Sequence, residues 1–589
     1  MTTNEIRPSA ENTEAEETLG GVAFDSIGDH DRTEAGPTRR VRFIAPSIET
    51  VVQRAAQEYL ASIEGIADLS LSDLRDGALA RINAEIQLEN TGREGTSAPK
   101  LLRQSWLDEF TVVKILLARF PIIKVDLTNG HGGAQNGVLA IYEKDGELEG
   151  IYNTDETRIK KLISGLRPSF KSSAVESALR SMHTHAPIKL RTLEPHLIPV
   201  ANGVFDHARQ ELRAFSRDLV FLSKIQSAYD PQASSPRIAQ PDGTDWEVED
   251  WFQSLSDEEG VPELLWEIVS AALRPFESWN MSAFLVGPKG NGGKGTFLKL
   301  IASLLGPAAY TSIPLTSFGD TFGLADLITK NVNLVDENPV GAFATKLDLW
   351  KSCVTGDPVK IEEKYVRAIR MRWFGFEVHC LNEMTPRVKD KSPSAARRML
   401  LVLMTKSFTG IENRDIKNKY LVDPGVLRYV LRRALQMRHT SFTVPPSSQQ
   451  ARDRWFAANN KVVGWWEEHQ DEFAWDLLPW AFLYDAYKAW YSRVEPSGTV
   501  EGFNQFTESL KDHLHESTTW SSTASSVRPG SRMSVPEPLI SEFNLTGWMN
   551  PAYSGTDPLK RSRPVLKANY KGLLRCVAVA ASGSGGEDS

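Results

Sequence analysis

Between Phe284 and Phe297 the chain reads FLVGPKGNGGKGTF, with five glycines in fourteen residues. An apolar run, SAFLVG, precedes the glycines and suits a short strand buried in a parallel sheet. The stretch TFLKLIASLLG follows, placing Phe297, Leu300, Ile301, Leu304 and Leu305 on one helical face before a stop at Gly306-Pro307. Strand, glycine turn and helix together admit few folds. A glycine loop that opens a helix turns its backbone N–H groups toward an anion, and a lysine there neutralises phosphate. The usual spacing of such loops is G-x-x-x-x-G-K-[ST]. Counted back from Lys294, the first glycine should stand at 288, but Pro288 is there and the glycine is Gly287. Gly295 follows the lysine, and Thr296, the nearest hydroxyl for Mg²⁺, comes one step later. The loop is either a nucleotide site with one extra residue or a glycine turn that carries a surface lysine.

Two later strands narrow the choice. NVNLVDEN is an apolar run that ends in Asp336-Glu337, about forty residues beyond the loop. Paired acids at a strand end fit a site where Asp336 holds the Mg²⁺ shell and Glu337 polarises the attacking water. In FGFEVHCLNE, Phe374, Phe376 and Val378 alternate before Asn382, an amide able to orient that water. SPSAARRML then brings Arg397 and Arg398 just ahead of a fourth apolar run. Arginines there are surface charges, or one of them reaches a neighbouring subunit's γ-phosphate.

The 589 residues exceed one core, so several domains are expected. Net charge is −8, which makes any nucleic-acid contact local rather than global. Cys353, Cys380 and Cys576 lie far apart, which argues against a zinc ribbon and a disulfide framework. No apolar run reaches 18 residues and the first residues are acidic, so no membrane contact and a cytoplasmic location are expected. GVLAIYEKDGELEGIY reads as a hairpin turning at Asp145-Gly146. YDPQASSPRIAQPDGTD, from Tyr229, reads as a linker, and FTVPPSSQQ, near 442–450, marks another boundary.

As an ordered set these motifs resemble the superfamily 3 helicase portion of phage and plasmid primase-helicases, the family that includes satellite-phage and poxvirus proteins. The resemblance is carried by GPKGNGGKGTF, NLVDEN, KSCVTGDPVKIEEKY, LNEMTPRVKDKSPSAARRML and, upstream, IPVANGVFDHARQELRAFSRDLVFLSKIQSAYDP. It implies an α/β fold: a P-loop, AAA+-like ATPase core, with a mixed α+β N-terminal region and a winged-helix-like C-terminal domain. The expected organisation is a disordered acidic tail at 1–36, a helical region at 37–105 and a pre-helicase domain at 106–240. The ATPase follows at 246–415, a helical extension and linker at 416–449, the winged-helix-like domain at 450–570 and a flexible tail at 571–589.

Residue by residue, the resemblance places Gly287, Gly290, Asn291, Gly292, Gly293, Lys294, Gly295 and Thr296 around the phosphates of ATP. Asp336 joins Thr296 at Mg²⁺, Glu337 and Asn382 attend the water, and Arg397 or Arg398 is the finger. TGDPVKIEEKY lies where such helicases carry a hairpin that enters the pore of a hexamer. Residues 351–400 hold eleven basic side chains against six acids. Lys360 and Lys364 are the expected phosphate contacts, with Tyr365 a stacking partner. The resemblance implies an ATP-driven helicase that acts on single-stranded and forked DNA with 3′ to 5′ polarity, in company with origin DNA and a separate primase. FPIIKVDLTNG offers Asp126 with no second acid beside it, so a primase centre within this chain is not expected.

Toward the C-terminus, PWAFLYDAYKAWYSR and TVEGFNQFTESLKDHL read as two helices, the second turning Phe503, Phe506 and Leu510 inward. With the later basic KRSRPVLK they suggest a DNA-binding module, Asn504 and Gln505 on its exposed face, or a structural cap. Two other readings stay open. GKGT also suits a nucleotide kinase, and the extra loop residue suits a replication initiator with little or no ATPase.

Overall fold

The computed structural model describes residues 45–128, 130, 137–287, 290–338, 347–362, 368–382, 393–515 and 517–576. Lys364 and Tyr365 therefore lie outside the described residues, as do Pro288 and Lys289, the expected tail at 1–36 and the part of the expected tail 571–589 beyond residue 576, its first residues holding the strand Gly572–Arg575. The chain is a mixed α/β protein.

Helices Ile48–Ser62 and Leu71–Gly92 begin at Ser47 and Ser70, whose hydroxyls accept backbone N–H groups of the first turn. They pack with Glu109–Arg119, Glu156–Leu166 and Ser172–His185 around one apolar core. Beside them is a four-stranded sheet, in the order 152–153, 137–142, 122–126, 188–190. The expected hairpin is present, but Ile141 pairs with Asn153 and Tyr142 with Tyr152, so its turn is wider than a two-residue connection at Asp145-Gly146. The expected linker after Tyr229 holds a small hairpin of its own, Ile238 against Trp246.

The central unit is a five-stranded, all-parallel sheet. Its strands, in chain order, are β1 (Ser282–Val286), β2 (Tyr310–Thr311), β3 (Val332–Val335), β6 (Phe376–Leu381) and β7 (Met399–Leu403). Between β3 and β6 the chain forms a separate antiparallel hairpin, β4 (Pro358–Ile361) with β5 (Ile369–Arg372). The spatial order is β2-β3-β6-β1-β7, and α1 (Lys294–Leu305) connects β1 to β2. Alternate β1 residues serve two cores. Ala283 and Leu285 face α1 and the helices Val261–Leu273 and Pro424–Gln436, while Phe284 and Val286 face Trp350 and Trp455.

That double cover explains why β6 is buried at every position and does not alternate as FGFEVHC suggests. Glu377 and His379 occupy its second face, paired at 2.8 Å, with the His379 ring stacked on Phe284. Helix Pro446–Asn459 crosses the boundary expected at 449–450, and its Trp455 belongs to the core beneath β1 and β7.

The C-terminal unit runs helix Lys461–His469, strand Leu477–Pro479, helix Trp480–Val494, helix Phe503–His513, strand Trp520–Ser522 and strand Gly572–Arg575. The last strand lies between the other two, antiparallel to both. Trp465, Trp466, Phe473, Trp475, Phe482, Tyr487, Phe506 and Trp520 fill its core. Phe503 departs from expectation: it is 42% exposed and meets Tyr484 edge-on.

Candidate functional site

In a parallel sheet every strand ends on the same edge, so residues distant in sequence meet there. Gly287 follows β1, Asp336 follows β3, and Asn382 follows β6. Leu381 pairs with Val286, and Val335 pairs with His379, which fixes these ends within a few residues of one another.

The glycine loop closes onto this edge. Lys294 is buried, and its Nζ donates to the Gly287 carbonyl at 2.8 Å. Gly290, Asn291 and Gly293 all have positive φ. At Gly293, φ is 84° as the chain turns into α1, a conformation that glycine alone adopts without cost. Between Gly290 and Thr296 no backbone N–H donates to an acceptor among the described residues. A buried lysine and a run of unspent N–H groups at a helix N-terminus make a strong anion cradle.

Asp336 lies against the first turn of α1. A Cβ at Gly295 would come within 2.8 Å of its Oδ1, so a side chain there displaces the carboxylate. Burial, and then the Asp336 carboxylate with which it is hydrogen-bonded, push the Cys380 thiol well above its ordinary range, while Lys294 pulls the other way. Lys294, Asp336 and Cys380 thus form one group. Asp336 and Glu337 are both exposed, as is Asn382.

Sequence reasoning missed Asn338 and the pocket that Asn291 helps to build at this edge. Asn338 donates to the Cys380 carbonyl at 3.1 Å and accepts from the Leu315 N–H at 3.2 Å, tying the ends of β3 and β6 together. Its signal was present, as the last asparagine of NVNLVDEN. Asn291 donates to Thr409 and Glu412, while its carbonyl accepts from the Phe408 N–H. That contact builds a pocket beside Gly293 and Thr296 whose walls include Trp251, Phe408, Ile411, Asn413 and Ile416. No motif announces it, because its walls come from segments over 150 residues apart.

The remaining predicted residues lie elsewhere. Arg397 is exposed, and Arg398 is held by the Ser394 carbonyl and hydroxyl. Both precede β7, and the Arg398 carbonyl accepts the Ser282 N–H, so they sit at the opposite edge of the sheet from the glycine loop. On the hairpin, Lys360 pairs with Glu362. Lys360 also stands directly opposite Arg370, and Arg372 is exposed on the same face. Like charges opposed across a ladder destabilise it, which marks a surface suited to an anionic partner.

Thr296 and Asp336 offer a hydroxyl and a carboxylate beside the anion cradle. Hard oxygen donors in that small number suit Mg²⁺, which takes its remaining ligands from phosphates and water. Among the described residues no cluster of three or more His, Cys, Asp or Glu could hold a metal alone.

Family models match three stretches of the chain. Residues 118–247 match the model described as D5 N terminal like, and residues 457–548 match Poxvirus D5 protein-like. Over these two stretches the chain resembles the phage and poxvirus type of primase-helicase family. That D5-like resemblance points to a replication-related, nucleic-acid-acting NTPase. Residues 285–398, which hold the glycine loop, match a family of unknown function (DUF5906). Two apo structures of the NrS-1 C-terminal region resemble the chain remotely. One has 11% identity and a TM-score of 0.41, covering 80% of this chain and all of that one. The other has 10% identity and a TM-score of 0.39, covering 69% and 86%. No curated protein matches the chain. No helix among the described residues is long and apolar enough to cross a membrane.

Proposed function

We propose that this D5-like chain is an ATP-driven DNA helicase for replication of a phage, plasmid or integrated element, working as a homo-hexamer on single-stranded and forked DNA. One observation carries the reading: Lys294 is seated on the Gly287 carbonyl beneath unspent backbone N–H groups, with Asp336 against the same helical turn. The strand order β2-β3-β6-β1-β7 supports a P-loop, AAA+-like core, since the loop follows β1 and the acids follow its second neighbour β3.

In this reading Gly287 and Gly290 to Thr296 hold the phosphates, and Lys294 turns from the Gly287 carbonyl to the outer phosphate. Thr296 and Asp336 would hold Mg²⁺, which when bound would supply charge neutralisation at the phosphate oxygens. Glu337 draws the proton of the attacking water, and Asn382 orients that water. The pocket of Trp251, Phe408 and Ile411 takes the base. Arg397 or Arg398, at the far edge of the sheet, acts as the finger on a neighbouring subunit's nucleotide, so the site is complete only between subunits. Lys360, with Arg370 and Arg372, meets the DNA backbone from the hairpin; Lys364 is a further phosphate contact and Tyr365 a stacking partner for the bases. The three-stranded order of the C-terminal unit supports a winged-helix-like module. Origin DNA and a separate primase complete the proposed partners.

The test is ATP hydrolysis by wild type and Lys294→Ala, with and without single-stranded DNA. Loss of the terminal donor should cost on the order of 10²-fold or more in rate. A well-folded wild type with no turnover, with or without DNA, sinks the motor reading and favours the initiator with a disabled loop.

A further inference from the structure

In the C-terminal unit, forty-nine residues (523–571) separate the last two strands of the sheet. They begin as a hairpin stem: Thr523 pairs with Gly572 and Val527 bridges Tyr570. The rest folds back on the aromatic core through Met533, Leu539, Ile540, Phe543 and Leu545, all buried. Glu537, fully buried, clamps it by accepting the N–H groups of Ala474 and Trp475. The insert is therefore a built part of the domain.

Its charge is unlike the rest of the chain. In a protein of net charge −8 it carries seven basic residues against three acids, one of them the buried Glu537. Arg528, Arg532, Lys560, Arg563, Lys567 and Lys571 are exposed, and none has an ion pair among the described residues. From Ser562 to Lys567 exposure alternates, so Arg563, Val565 and Lys567 share the outward side while Ser562, Pro564 and Leu566 turn inward. Val565, 75% exposed between two cations, is an apolar tip of the kind that seats in a nucleic-acid groove.

The helix that sequence reasoning favours has the opposite character. Phe503–His513 shows Asn504 and Gln505 to solvent, but also Glu508 and Asp512, which repel phosphate. Its His513 is engaged by Glu467, and Lys511 lies over the Trp480 ring much as Lys560 of the insert lies over the Tyr553 ring.

We infer that the C-terminal unit grips duplex DNA through the basic face of this insert, led by Lys560, Arg563 and Lys567, and that helix Phe503–His513 is a structural element. The inference rests on the reading of DNA as this chain's substrate. It is tested without ATP, so a dead motor leaves it standing and its own failure leaves the motor untouched.

The full chain is titrated against a fluorescent thirty-base-pair duplex over a range of salt. Lys560→Gln/Arg563→Gln/Lys567→Gln should bind at least about tenfold more weakly. Its slope of log K against log salt should fall by about 0.9 for each lost phosphate contact. Asn504→Ala/Gln505→Ala should stay within about twofold of wild type. Lys560→Arg/Arg563→Lys/Lys567→Arg should restore binding, and unchanged melting of the Gln variant excludes misfolding. Wild-type affinity in the Gln variant, or loss confined to the helix variant, overturns the inference. So does absence of duplex binding by wild type, or competition by polyglutamate as strong as by unlabelled duplex.

Discussion

The central sheet and the C-terminal unit use polar groups in opposite ways. At the carboxyl edge of the sheet they are left unspent: N–H groups from Gly290 to Thr296 without acceptors among the described residues, and Asp336, Glu337 and Asn382 exposed. In the C-terminal unit the deepest polar group, Glu537, is spent on holding an insert in place. Polar groups gathered at an exposed edge without protein partners are solvated and open to a ligand, whereas a buried one must be paired within the fold, so the contrast separates a site from a scaffold. A substitution at the first should change turnover and leave folding alone. One at the second should do the reverse.

The strongest way to break this contrast is Glu337→Gln. It keeps shape and removes the charge, so ATP turnover should fall on the order of 10²-fold or more with nucleotide affinity and melting temperature unchanged. Single-turnover hydrolysis beside nucleotide titration reads both. A melting change of several degrees with normal turnover would make Glu337 a structural residue.

Acid sharpens the contrast, because buried Glu537 and half-buried His439, one in each unit, titrate in opposite senses. Burial raises Glu537 to about 7, so the folded state holds a proton that the unfolded state releases from about pH 4.5 upward. Its contribution is full below pH 4.5 and lost as pH rises to about 7, at most on the order of 3 kcal/mol. Burial, and then Arg274, lower His439 in the central unit to about 4. The unfolded state then binds the extra proton, and stability is lost as pH falls from about 6.5 to 4. Calorimetry from pH 4 to 7 should show the C-terminal transition rising, and the central one falling, as pH drops. Glu537→Gln and His439→Gln should each flatten one slope. Parallel slopes in wild type contradict the assignment.

A smaller effect is expected at Asn338, which joins both sides of the contrast by bridging the Cys380 carbonyl and the Leu315 N–H beside the site. Asn338→Ala leaves both groups unpaired, at about 1–3 kcal/mol. Denaturant titration should show the loss in the central unit, with a modest fall in turnover as the Asp336 strand end loosens. An unchanged midpoint would mean that water replaces the amide.

What was legible in the sequence follows from how each feature is encoded. SAFLVG, the glycine loop and the α1 face are local: pattern and period name strand, turn and helix within a few residues. The acids after β3 and the amide after β6 were legible because a parallel sheet brings strand ends to one edge whatever lies between. The base-sized pocket was not, since Trp251, Phe408 and Ile411 meet only after the chain has wound the sheet. Nor was the buried Glu377–His379 pair, because a strand covered on both faces loses the alternation that would have flagged polar residues within it. Charge totals over windows found the basic hairpin. They gave no warning that Lys360 and Arg370 stand face to face, which is a matter of register.

Phe503 gives the smallest expected effect and the cleanest check on the scaffold side. Period alone turned it inward with Phe506 and Leu510, yet only Phe506 and Leu510 are fully buried. The helix begins at Phe503, so no preceding turn covers its side chain, and the ring rests edge-on against Tyr484. Phe503→Ala should therefore change unfolding free energy by about 0.5–1 kcal/mol, the worth of one aromatic edge contact. Phe506→Ala, which empties a site among Trp465, Tyr484 and Tyr487, should cost about 3–5 kcal/mol. If the two cost the same, Phe503 is part of the core. The exposed face of this helix is then smaller than the structure shows, and the contrast between helix and basic insert narrows with it.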